Sequence, residues 1–121
     1  MDFNRLLDDI VAISDSIRFV FVTNMEGKIV YSKVSTKSFL LDKNQSSVLG
    51  VDMQVLRQLL KLYDEMLGPN TFVHLVRDKV HVLIFYIDKW TILVSCNRDT
   101  ERHKLTDISI QIESLVSKAL K

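Results

Sequence analysis

The chain has one cysteine, one proline and three glycines among its 121 residues. A lone cysteine cannot close an internal disulfide, so nothing here calls for an oxidising compartment. Three glycines leave little material for a loop that cradles phosphate. No Walker-type loop, no Gly-x-Gly-x-x-Gly and no Gly-x-Ser-x-Gly occurs. Charge of one sign is also lacking: sixteen basic side chains face fifteen acidic ones, for a net charge of +1. That balance excludes the basic excess of a dedicated nucleic-acid binder. The longest uncharged apolar run, Val80 to Ile87, is eight residues and contains His81, whereas a membrane span needs about 20. The N-terminal "MDFNRLLDDIVAIS" has acids where a signal peptide carries positive charge. The expectation is a soluble, cytoplasmic protein.

What is present is apolar residues, nearly half of the composition, in a chain long enough for one core. Residues 1–121 read as one domain. Asp2 can cap a first helix, in which Phe3, Leu6, Leu7, Ile10 and Val11 recur at helical spacing to near Ser14. "IRFVFVT" and "KIVYSK" read as a hairpin turning at "NMEG". Residues 34–50 show no steady period and read as a loop, with Phe39, Leu40 and Leu41 as one docking point. Ser47 or Gly50 opens a second helix that Gly68-Pro69 ends after Leu67. Strands follow at 71–77, 80–87 and 90–97, joined by Asp78-Lys79 and Asp88-Lys89. A last helix is capped by Thr100 or Asp99. The fold class is α+β, a three-layer α/β/α arrangement with a five-stranded antiparallel sheet in the order α-β-β-α-β-β-β-α.

Two-residue turns set a register in which Val76 faces His81 and His81 faces Cys96. His74 then lies diagonal to His81, about 7–8 Å away. His74, His81 and Cys96 are thus the candidate metal ligands. No fourth ligand is evident, and neither Cys-x-x-Cys nor His-Glu-x-x-His occurs. Cys96 in an apolar strand would have a raised pKa, which argues against a nucleophile. The residues therefore assign no catalytic, cofactor or metal site, and the chain does not read as an enzyme.

Both faces of the last three strands are mainly apolar, so helices are expected on both. Two helices should cover one face and one the other. Along the second helix, 51–67, apolar residues spread over about 180°, wider than the roughly 100° stripe that covering a sheet requires. The excess asks for a second apolar contact, either a partner or second copy of the chain or, as the plainer alternative, the 34–50 loop lying on the helix. The strand "TFVHLVR" has no proline and no inward charge, so it is the candidate free edge.

With this order, the chain resembles the roadblock/dynein-light-chain family. The resemblance rests on the short first helix, "IRFVFVTNMEGKIVYS", "VLRQLLKLYDEMLG", the meander "FVHLVRDKVHVLIFYIDKWTILVSC" and "LTDISIQIESLVSKAL". It implies a non-enzymatic homodimeric adaptor without a cofactor, and with it a platform of the kind that binds and regulates a small Ras-like GTPase. Sheets would join through the strand after the second helix, with Phe72, His74 and Val76 at the dimer edge and Leu59, Leu62 and Met66 near the symmetric contact. Arg57, Lys61 and Asp64 would face the partner. Profilin-like and longin-like folds share much of this layout. A PAS-like sensor on such a fold would enclose a ligand near Phe39, Tyr86 and Trp90.

Overall fold

The computed structural model describes residues 2–35 and 43–119. Phe39, Leu40 and Leu41, expected to dock on the fold, lie outside the described residues.

Asp2 Oδ1 accepts the Arg5 backbone N–H at 3.1 Å and starts α1, Phe3–Val11. This cap satisfies one of the orphan donors of a helix N-terminus. Phe3, Leu6, Leu7 and Ile10 form the buried stripe of α1. A hairpin follows, β1 Ile17–Thr23 and β2 Ile29–Val34. Its turn is organised by Asn24, whose side-chain oxygen accepts from Glu26 N–H at 3.0 Å and Lys28 N–H at 3.1 Å. Next come α2 Lys43–Lys61 and a one-turn α3 Asp64–Leu67. The meander β3 Phe72–Val76, β4 Val80–Ile87 and β5 Trp90–Asn97 leads to α4, Arg102–Ala119.

The sheet is fully antiparallel, in the order β2-β1-β5-β4-β3. The register expected from the two-residue turns is the one found: Val76 pairs with His81, His81 with Cys96, and Ile87 with Trp90. Strand alternation then divides the apolar residues between two cores. Leu83, Phe85, Ile92 and Val94 pack with α1 and α4, joined by Ile108 and Ile112. Phe19, Phe21, Val82, Ile84 and Leu93 pack on the other face, under Leu49, Met53 and Leu56 of α2. The three layers, two helices on one face and one on the other, are as the strand faces required.

Three boundaries differ from the sequence reading. The second helix begins at Lys43 rather than at Ser47 or Gly50, so residues 43–50 are helical and not loop. Asn44, Gln45, Ser47 and Val48 are exposed, so this first part carries no burial period to read. The helix also stops at Lys61. Its last turn tightens into i−3 bonds, Leu62 N–H to Leu59 O at 3.3 Å and Tyr63 N–H to Leu60 O at 3.2 Å. Tyr63 then leaves helical geometry before α3. Finally, α4 starts at Arg102, because the Thr100 hydroxyl turns back to the Asn97 carbonyl at 2.7 Å instead of capping the helix.

Candidate functional site

The α2 helix is seated with one apolar row inward and another outward. Leu49, Met53, Leu56 and Leu60 are half-buried against the sheet. Val51, Val55 and Leu59 are each about half exposed, at 48, 54 and 55%. Leu62 continues the row at 71%, and Met66 and Leu67 beyond it are exposed still more. At 100° per residue the two rows lie on opposite sides of the helix. The second apolar contact that the sequence asked for is therefore an outer stripe, uncovered among the described residues.

The polar residues between the rows have different fates. Arg57, expected on the partner-facing surface, is turned inward and only 8% exposed. Its guanidinium donates to the Asp88 carbonyl and, at 3.3 Å, to the Trp90 carbonyl, and lies 5.4 Å from the Tyr86 ring centre. It thereby holds the β4–β5 turn, where Asp88 has φ 52°. Two backbone carbonyls facing the helix need a donor, and that need overrides the surface preference of arginine. Gln54 is buried beside it, with Thr91 Oγ1 3.4 Å from its Oε1. Lys61 is exposed and Asp64 half-buried. They and Arg57 line one recess of about 230 Å³ with Asp88.

Of the other residues expected at a dimer contact, Val76 and His74 are exposed, while Phe72 is half-buried with its ring 5.5 Å from that of Phe85. The six fall into two groups. Leu59, Leu62 and Met66 belong to the helical layer on one face of the sheet, whereas Phe72, His74 and Val76 point to the α1/α4 face. What links the two groups is the β3 backbone, whose outer edge is unpaired among the described residues. The opposite edge, β2, is protected: Lys33 is ion-paired with Asp8 of α1, and Tyr31 stacks on Phe3 at 5.1 Å. β3 has no charged residue at all, so it is the edge open to pairing.

His74 and His81 are brought together. Nε2 of His74 lies 2.9 Å from Nδ1 of His81, and Nε2 of His81 lies 3.0 Å from the Arg98 carbonyl. A carbonyl only accepts, so the Nε2–H of His81 donates to it. The Nδ1 of neutral His81 is then the acceptor for the Nε2–H of His74. Burial, then the neighbouring His81 and Arg102, hold the pKa of His74 below its ordinary value. Cys96 is buried and its thiol is pushed up to about 12 by desolvation. A thiol so protonated is neither a ready ligand nor a nucleophile. Among the described residues no cluster of three His, Cys, Asp or Glu is arranged to hold a metal.

Tyr86 and Trp90, proposed walls of a sensor cavity, lie on opposite faces of the sheet, with the α2 core and the α1/α4 core respectively. They cannot enclose a common ligand. The third wall, Phe39, is outside the described residues. Among the described residues no helix is long and apolar enough to cross a membrane.

The three-layer arrangement with a five-stranded antiparallel sheet is that of the roadblock/LC7 fold. The solved structures that superpose on this chain bear this out. The gliding protein MglB of Thermus thermophilus matches with a TM-score of 0.76 at 6% identity, over 95% of this chain and 85% of that one. The Roadblock/LC7 domain from Streptomyces avermitilis matches with a TM-score of 0.70 at 12% identity, over the whole of both chains. MglB in a tetrameric arrangement matches with a TM-score of 0.74 at 9% identity, over 93% of this chain and 83% of that one. No family model matches the sequence, and no curated protein is similar enough in sequence to count as a relative. At these identities the likeness is one of fold.

Proposed function

We propose that the chain is a non-enzymatic adaptor that acts as a homodimer in the cytoplasm. The free edges of two β3 strands pair, and the outer faces of two α2 helices form an apolar platform for a small Ras-like GTPase. The observation that carries this reading is the outer stripe of α2: Val51, Val55, Leu59 and Leu62 are exposed on a helix whose other face already fills the core. Exposed apolar rows of this kind mark interaction surfaces. The charge-free edge of β3 supplies the backbone part of the same self-association, with Leu59 of α2 near the symmetric contact. The similar fold solved as MglB in a tetrameric arrangement supports assembly as a property of this architecture. Lys61 and Asp64, at the C-terminal end of the platform, are the polar groups that would meet the partner. Arg57 is not among them.

The test is amide hydrogen exchange at low and high protein concentration. The expected result is protection of β3 amides that grows with concentration and disappears in Leu59→Glu, which places a charge inside the contact. Concentration-independent exchange throughout β3 and α2 would contradict the proposal.

A further inference from the structure

On the α1/α4 side of the sheet, a cavity of about 450 Å³ lies between β3, the start of β4 and the first turns of α4. Its size is within the roughly 300–1,000 Å³ common for small-molecule sites. Phe72, Leu83 and Leu105 supply apolar surface. The polar part consists of His74, His81, Arg98 and Arg102, with the hydroxyls of Thr100 and Thr106 among them. No carboxylate is among the described lining residues. That imbalance stands out in a chain whose bases and acids number sixteen and fifteen. Neither guanidinium takes part in an ion pair among the described residues. The wall is thus electropositive, and the charge of Arg102 is felt at His74.

We propose that this cavity binds a small soluble phosphate ester, its phosphoryl oxygens on Arg98 and Arg102 and its organic body against Phe72, Leu83 and Leu105. The planar fork of arginine donors matches phosphate oxygens in bidentate fashion. An apolar floor beside a few convergent polar groups is the usual composition of a ligand site. The histidine pair adds a proton-linked element. His74 Nε2–H is committed to His81, and His81 Nε2–H to the Arg98 carbonyl. Nδ1 of His74 is therefore the ring nitrogen that can take up a proton without breaking this chain. The groups facing His74 are His81 on β4, Arg98 in the β5–α4 connection and Arg102 on α4, none of them negative. A bound phosphate supplies the missing charge, favours the imidazolium and gains a donor from it. Binding then takes up a proton and tightens as the pH falls. The site opens on the face of the sheet opposite α2, and its β3 wall, Phe72, His74 and Val76, belongs to the strand whose backbone edge is proposed to pair, so the titration is read at one fixed protein concentration.

The test is an NMR titration of the full chain with phenyl phosphate, following backbone amides and the His74 ring. Saturable shifts at Phe72, His74, Leu83 and Leu105 are expected, with tighter binding at about pH 6 than at about pH 8. Arg98→Ala combined with Arg102→Ala should weaken binding roughly tenfold or more. Both arginines are exposed, so this variant should fold, and Arg98→Gln with Arg102→Gln serves as a second, less truncating version. Benzoate tests for a carboxylate ligand, and phosphatidic-acid vesicles for a lipid headgroup. Absence of saturation, saturation that ignores both arginine variants, equal binding of benzoate, or binding to vesicles alone would each overturn the proposal.

Discussion

Gly27 and Gly50 meet backbone against backbone: a Cβ on Gly50 would stand 2.4 Å from the Gly27 carbonyl oxygen, and one on Gly27 would stand 2.6 Å from Val51 Cα. The β1–β2 turn therefore rests directly on α2, and this contact fixes how the helix lies across the sheet. Gly27 is also at φ 81°, where glycine is favoured. Gly50, expected at a helix boundary, is instead inside α2 for the sake of this approach. Gly50→Ala should destabilise the fold by about 1–3 kcal/mol, as overpacking does, even though alanine is the better helix former. A chemical denaturation midpoint equal to or above that of the parent would contradict this contact.

Arg57 anchors the β4–β5 turn from α2 and does not serve the surface. Arg57→Ala should lower stability by about 1.5–3 kcal/mol, the range for hydrogen bonds from a charged donor. Urea unfolding followed by circular dichroism measures it. A change within about 0.5 kcal/mol, typical of plain surface substitutions, would return Arg57 to the list of partner-facing residues.

Val76 is exposed at the end of an edge strand without charge. Val76→Lys should leave the chain folded and weaken self-association, because charge on an edge opposes pairing. Sedimentation velocity over a concentration series distinguishes the outcomes. An unchanged association constant would remove β3 from the interface.

His74 gives a sign for pH dependence. Its folded pKa is lowered from the ordinary 6.5, chiefly by desolvation and then by His81 and Arg102. The unfolded chain thus binds the proton more readily, and stability must fall as the pH drops below 6.5. Above that value the contribution is complete. His74→Gln should flatten this acid-side loss in denaturation midpoints measured across the range. An equally steep loss in the variant would assign the effect to other groups.

The strands were the most readable part of the sequence. Two-residue turns and alternation fix the pairing of β3, β4 and β5 locally, so the proximity of His74 and His81 followed without tertiary information. The helix was different. With apolar residues over half its circumference, α2 offered two possible inward faces, and the choice depends on what waits on the sheet. The carbonyls of Asp88 and Trp90 decided it by drawing in Arg57. No local pattern announces such a distant acceptor. Arg98 and Arg102 were missed for a related reason. The run "NRDTERHK" reads as a strand-to-helix joint, and only the tertiary fold, which sets the start of α4 across a cavity from β3 and β4, brings its arginines near the histidines.

The central claim is that this domain completes itself with a second copy. Absolute mass by light scattering after size exclusion, over a concentration series, tests it most directly. The account predicts a species at twice the chain mass that Leu59→Glu reduces to the single chain. A parent protein that stays at the mass of one chain at every concentration would contradict it.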